Sequence, residues 1–98
     1  MLDTFQSVQT EVDRLGKEGV DKIILLSHSG YELEQEFAAK IKGVDVVVGG
    51  HSHTLLGDLG IADLPAGRGP YPTVVKNADG NTALVVQAWQ WGQVLGRI

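Results

Sequence analysis

The chain has 98 residues, of which 43% are hydrophobic, 20% are charged and none is cysteine. That size allows one small domain, that balance is globular rather than disordered, and the missing cysteine excludes disulfides and thiolate metal sites. A formal net charge of -4 argues against a nucleic-acid polymer as partner, since a phosphate backbone calls for a basic footprint. Small anionic substrates stay open, because a bound metal inverts the local charge.

The start, Met1-Leu2-Asp3-Thr4-Phe5, lacks the basic and apolar regions of a signal peptide. No apolar run approaches ~20 residues, so no membrane span is expected. Phe5, Val8, Val12 and Leu15 recur between polar residues such as Gln6, Gln9, Glu11 and Asp13. That spacing predicts an amphipathic helix over 3–17, opened by Asp3 or Thr4 and ended by Gly16 or Gly19. Ile23-Ile24-Leu25-Leu26 has the character of a strand buried on both faces, and it ends at Ser27-His28-Ser29-Gly30. Residues 31–42 place Leu33, Phe37, Ala38 and Ile41 on one stripe, predicting a second helix closed by Gly43. Val44-Asp45-Val46-Val47-Val48 reads as a second strand and runs into Gly49-Gly50-His51-Ser52-His53. Helix, strand, helix, strand in this order predicts a βαβ unit with parallel strands.

Residues 54–72 change character. Gly57, Gly60, Gly67 and Gly69, with Pro65, Pro70 and Pro72, predict a long irregular stretch. Such a loop beside a candidate site is more often functional than idle. Thr73-Val74-Val75 and Thr82-Ala83-Leu84-Val85-Val86 flank Asn77-Ala78-Asp79-Gly80, and Asp-Gly between β-rich segments predicts a hairpin. Residues 89–98, with Trp89 and Trp91, read as the start of a further strand, and the end without a polar tail is that expected of a cut within a sheet. The fold class is therefore α/β, a βαβ unit followed by a β-hairpin.

All three histidines lie just after the two predicted strands. Parallel α/β sheets bind ligands at the carboxyl ends of their strands, so His28 and His51 are expected at one edge. His51 and His53 are two apart, and in extended backbone their side chains point the same way. Neutral imidazole ligates zinc, manganese, iron and nickel. Each piece alone has an ordinary reading. A histidine after a strand often serves only its loop's hydrogen bonds, and His-x-His matches by accident. Together the pieces nominate a metal or anion site. Three imidazoles can hold one zinc with an open position, or be shared between two ions about 3.5–4 Å apart. Two ions need a bridging carboxylate. Asp45 starts its strand at the far edge and Asp58 lies in the glycine-rich loop, so neither qualifies.

Leu25-Leu26-Ser27-His28-Ser29-Gly30, Val46-Val47-Val48-Gly49-Gly50-His51-Ser52-His53-Thr54 and the segment from Val85 through Gln87-Ala88-Trp89 to Leu95-Gly96 carry a family resemblance. The chain resembles the calcineurin-like metallophosphoesterases, and among them the bacterial 5'-nucleotidase and 2',3'-cyclic-nucleotide phosphodiesterase branch. The resemblance covers most of residues 20–98. It implies a four-layer α/β/β/α sandwich and two divalent metal ions, of zinc, manganese, iron or calcium. His28 and His51 would ligate one ion and His53 the other. The implied reaction is hydrolysis of phosphate esters of nucleotides by a metal-activated hydroxide, in a periplasmic, secreted or surface-bound protein.

The departures are as informative. The family's Asp-x-His, its Gly-Asp bridging carboxylate and its Gly-Asn-His-Glu/Asp motif have no counterpart here. Gly57-Asp58 falls in the wrong order, and neither Asn77 nor Asn81 precedes a histidine. No catalytic acid/base is therefore assigned in this chain. Residues 1–98 are expected to be one partial domain, the C-terminal half of a catalytic domain, binding metal weakly and hydrolysing little in isolation. A sheet face left bare by the missing half would favour dimerisation or strand exchange. Two other readings stay open. One is a non-catalytic metal-binding or interaction module with Trp89 and Trp91 at a partner contact. The other is a mononuclear hydrolase using His28, His51 and His53 together.

Overall fold

Asp3 opens the first helix: its carboxylate accepts the Gln6 N–H at 3.2 Å, and α1 runs Thr4–Lys17. The computed structural model describes residues 3–98; Met1 and Leu2, part of the stretch read for signal-peptide features, lie outside the described residues. α1 turns Phe5, Val8 and Val12 inward. The Phe5 ring meets Phe37 with centroids 4.8 Å apart, and the Lys40 ammonium sits 5.1 Å over the same ring. Gln9 adds two hydrogen bonds to the Lys42 backbone, at 2.8 and 3.0 Å.

The second helix, α2, spans Tyr31–Lys40 and ends two residues earlier than its spacing predicts. Ile41 turns into extended backbone and drops into the core at 1% exposure. The packed stripe also differs. Leu33 faces solvent, and Glu34 takes the inward position beside Phe37 and Ala38 with no exposure at all.

Among the described residues four strands form one sheet: β1 (Ile24–Leu26), β2 (Val46–Val48), β3 (Thr73–Lys76) and β4 (Thr82–Val86), in the order β1-β2-β4-β3. β1 pairs parallel with β2 and β2 parallel with β4, while β3 and β4 are antiparallel. The mixed α/β class, the βαβ unit β1-α2-β2 and the hairpin β3-β4 are thus all present. Asn77 shapes the hairpin turn, its side-chain oxygen accepting from the backbone N–H of Asp79 and Asn81. β2 starts at Val46 rather than Val44, although Asp45 N–H still donates to Ile23 O and Asp45 O accepts the Leu84 N–H, both at 2.9 Å. The Asp45 carboxylate accepts the Ile23 N–H at 2.8 Å, at the end of the strand far from His51.

The core lies on one face of the sheet. Val47, Val85 and Ala83 meet Phe37, Ala38 and Ile41 of the α2 region, with Val44 and Val12 closing the cluster. The other face is apolar but open. Ile24 is 66% and Leu26 81% exposed, so β1 is not buried on both faces as its composition predicts. It is an edge strand with helices on one side only.

Residues 54–72 are irregular, as expected, yet anchored. Leu55 and Leu56 are buried, and the loop closes on itself through hydrogen bonds from Gly57 to Gly69 and from Arg68 to Leu55. No strand forms over 89–98. Trp89 and Trp91 adopt left-handed backbone, with φ of 62° and 52°, which breaks the extended course. Among the described residues no helix is long and apolar enough to cross a membrane.

Candidate metal-binding site

β1 and β2 are parallel neighbours, so the loops that follow them leave from the same edge of the sheet. The ladder continues into both. Ser27 N–H donates to Val48 O at 2.9 Å, and Gly49 N–H to Val86 O at 2.8 Å. This continuation brings the His28 and His51 rings to 5.3 Å between centroids, edge to face at 68°. Both residues are exposed, and a pair of accessible imidazoles is free to share an ion. Gly50 lies directly against His28: a Cβ there would approach Nδ1 to 3.0 Å.

His53 does something else. The segment is not extended, because His51 and His53 both have left-handed backbone with φ of 72° and 49°. The expectation that the two side chains run parallel therefore fails. His53 instead packs edge-on to Trp91, with centroids 5.6 Å apart. Among the described residues no three His, Cys, Asp or Glu side chains converge as a metal-binding group. The structure thus pairs the His28 and His51 rings, and His51 and His53 both line an open cleft of about 770 Å³ together with Tyr31, Ser52 and Arg68.

Two buried residues around the site had no role assigned to them from the sequence. Glu34 Oε1 accepts the backbone N–H groups of Ser29, Gly30 and Gly50 at 3.1–3.2 Å. Its Oε2 is buried without a hydrogen-bond partner and lies against Gly49, where a Cβ would come within 1.8 Å. Only a glycine fits that approach. Gln87, 4% exposed, accepts the Thr54 N–H and donates to Gly50 O and Ser52 Oγ, both at 3.3 Å. Ser52 Oγ in turn accepts the Tyr31 N–H at 3.1 Å and so serves the start of α2, where Gly30 has no side chain to do so. The signal for Glu34 was its helical spacing from Phe37, Ala38 and Ile41, a carboxylate in an apolar stripe. Gln87 has no such spacing signal; it stood only as part of the Gln87-Ala88-Trp89 segment of the family resemblance, without a role.

The site residues and their order along the chain can be set beside known proteins. No family model matches the chain. A 5'-nucleotidase of Diplobatis ommata is 51% identical over 96 residues, 96% of this chain and 16% of that protein. Over nearly its whole length the chain is homologous to one segment of 5'-nucleotidases. The crystal structure of a 5'-nucleotidase precursor from Thermus thermophilus is 52% identical, with a TM-score of 0.88 over 94% of this chain and 18% of that one. An NAD nucleotidase structure from Haemophilus influenzae is 36% identical, with a TM-score of 0.82 over 91% of this chain and 16% of that one. These proteins are of the metallophosphoesterase kind that the His28, His51 and His53 motifs resemble. The chain spans about a sixth of the length of the curated relatives it matches.

Proposed function

We propose that this chain is the metal-carrying part of a phosphohydrolase that cleaves phosphate esters of nucleotides. The observation that carries the reading is the pairing of His28 and His51, 5.3 Å apart at the carboxyl ends of adjacent parallel strands. Two imidazoles so placed suit one divalent ion as part of its ligand set. His53, beside Trp91, is left to a second ion whose remaining ligands come from outside these residues. Zinc, manganese, iron and calcium all remain candidates. Bound ions would supply Lewis-acid charge and a water nucleophile of lowered pKa. The chain's own contribution is to fix the two imidazoles on a rigid sheet edge and to keep the cleft beside them open to substrate. Residues 1–98 are then one part of a catalytic domain, and the bridging carboxylate and acid/base lie elsewhere in the protein. The small share of each relative covered by the chain supports this. The Thermus relative is a 5'-nucleotidase precursor, which supports a periplasmic or extracellular setting.

The test uses the full-length protein with 5'-AMP and 2',3'-cyclic AMP as substrates. Phosphate release should depend on added divalent metal and stop with chelator. His28→Ala and His51→Ala should each lower kcat/KM by at least ~100-fold, the equivalent of ~2.7 kcal/mol. Turnover that survives chelation and both substitutions refutes the reading. Tight metal binding without hydrolysis of either substrate would favour a non-catalytic binding module instead.

A further inference from the structure

Glu34 is the costliest side chain in the interior. It is fully buried, and one of its oxygens has no hydrogen-bond partner, an arrangement an apolar residue would avoid. What it does in return is specific. Its Oε1 collects N–H groups from two separate loops, Ser29 and Gly30 after β1 and Gly50 after β2. Those loops carry His28 and His51. An apolar side chain in the same pocket would take the acceptor from these three donors, of which the Gly30 N–H is buried.

Gln87 acts on the same loop from the other side. It donates to Gly50 O, one residue before His51, and accepts from Thr54 N–H, one residue after His53. Between these grips lie His51 and His53, both in left-handed backbone. Non-glycine residues stay in that region only where the surroundings hold them. Gly50 is therefore fixed at both of its backbone polar groups, the N–H by Glu34 and the carbonyl by Gln87.

We propose that Glu34 and Gln87 are positioning residues for the two-histidine pair. Glu34 sets the separation of the His28 and His51 loops, and Gln87 holds the left-handed course that turns His51 toward His28. The inference rests on the reading of His28 and His51 as metal ligands given above, and it adds residues that touch neither metal nor substrate. Outer hydrogen-bond partners of metal ligands are worth 10–100-fold in metal affinity when removed.

The experiment uses the full-length protein, titrated with Co²⁺ and followed by its visible absorption, together with metal-free crystal structures. Glu34→Ala and Gln87→Ala should weaken Co²⁺ binding ~10–100-fold. Glu34→Gln keeps an oxygen for the three N–H groups and should recover most of the affinity. Phe37→Ala, a core substitution outside the loops, should lower thermal stability and leave Co²⁺ affinity unchanged. Equal loss of affinity in Phe37→Ala and Glu34→Ala, or wild-type affinity in Gln87→Ala, overturns the proposal. If Glu34→Ala does not fold, Gln87→Ala and Glu34→Gln carry the test. If wild type and His28→Ala bind Co²⁺ alike, the metal reading fails, and the positioning role is judged in the metal-free crystals alone. There a His28–His51 separation that stays at 5.3 Å in Gln87→Ala overturns it, and a widened one supports it.

Discussion

The two faces of the sheet have nearly the same chemistry and opposite fates. On one face the cross-strand row Leu25, Val47, Val85, Thr73 lies under the helices, with Val47 and Val85 at 0% exposure. On the other, the adjoining row Ile24, Val46, Leu84, Val74 is as apolar, yet Ile24 is 66% and Val74 62% exposed at its two ends. Leu26, at 81%, extends the same open face toward the histidines. Strand composition reports what a face is suited to meet, not whether anything in the same 98 residues meets it. An open apolar face of this kind is the mark of a surface made to be covered.

Substitutions on the covered face should have the largest effect. Phe37 contacts both α1 and the sheet-side cluster at 2% exposure. Phe37→Ala is expected to cost about 3–5 kcal/mol, read from urea unfolding followed by circular dichroism. A cost under about 1 kcal/mol would mean that the helices are not what holds this face. Next comes the point where the sheet enters the site. Gly49→Ala sets a Cβ 1.8 Å from Glu34 Oε2, which has buried surroundings on every side. Overpacking of this sort costs about 1–3 kcal/mol, and the same melts should show it. Wild-type stability in Gly49→Ala would show that Glu34 moves aside easily, and would weaken its role as a fixed tie between the loops.

The contrast between faces also explains what was legible beforehand. The helix over 3–17, the βαβ unit and the Asn77–Gly80 turn rest on local rules of spacing, capping and turn chemistry, and each of them formed. The histidines were placed at one sheet edge by strand direction alone, which parallel pairing guarantees. Beyond that, local rules end. Left-handed backbone at His51, His53, Trp89 and Trp91 follows no periodicity in the sequence, so His53 turned to Trp91 and the expected last strand was lost. Leu33 and Glu34 are adjacent, and hydrophobicity favours the wrong one for the inward position. Three backbone donors from other segments, which no periodicity reports, decide for Glu34.

The smallest expected change in stability is on the open face, and its size should depend on how much of the protein is present. In the 98-residue chain, Val74→Ala removes a side chain that is already mostly in water and should shift stability by no more than about 0.5 kcal/mol. The charged pair Leu26→Lys with Val74→Lys should likewise leave its unfolding midpoint in place, while abolishing any concentration-dependent self-association seen by sedimentation velocity. In the full-length protein the same pair meets a different fate if another layer packs on this face, because two ammonium groups would then be buried without partners. A loss of several kcal/mol in the full-length protein, set against none in the short chain, assigns the covering to the rest of the polypeptide. Equal tolerance at both lengths, with self-association abolished in each, assigns it to a second copy. The face is one surface in both cases, and what distinguishes the two is which length of protein the lysines harm.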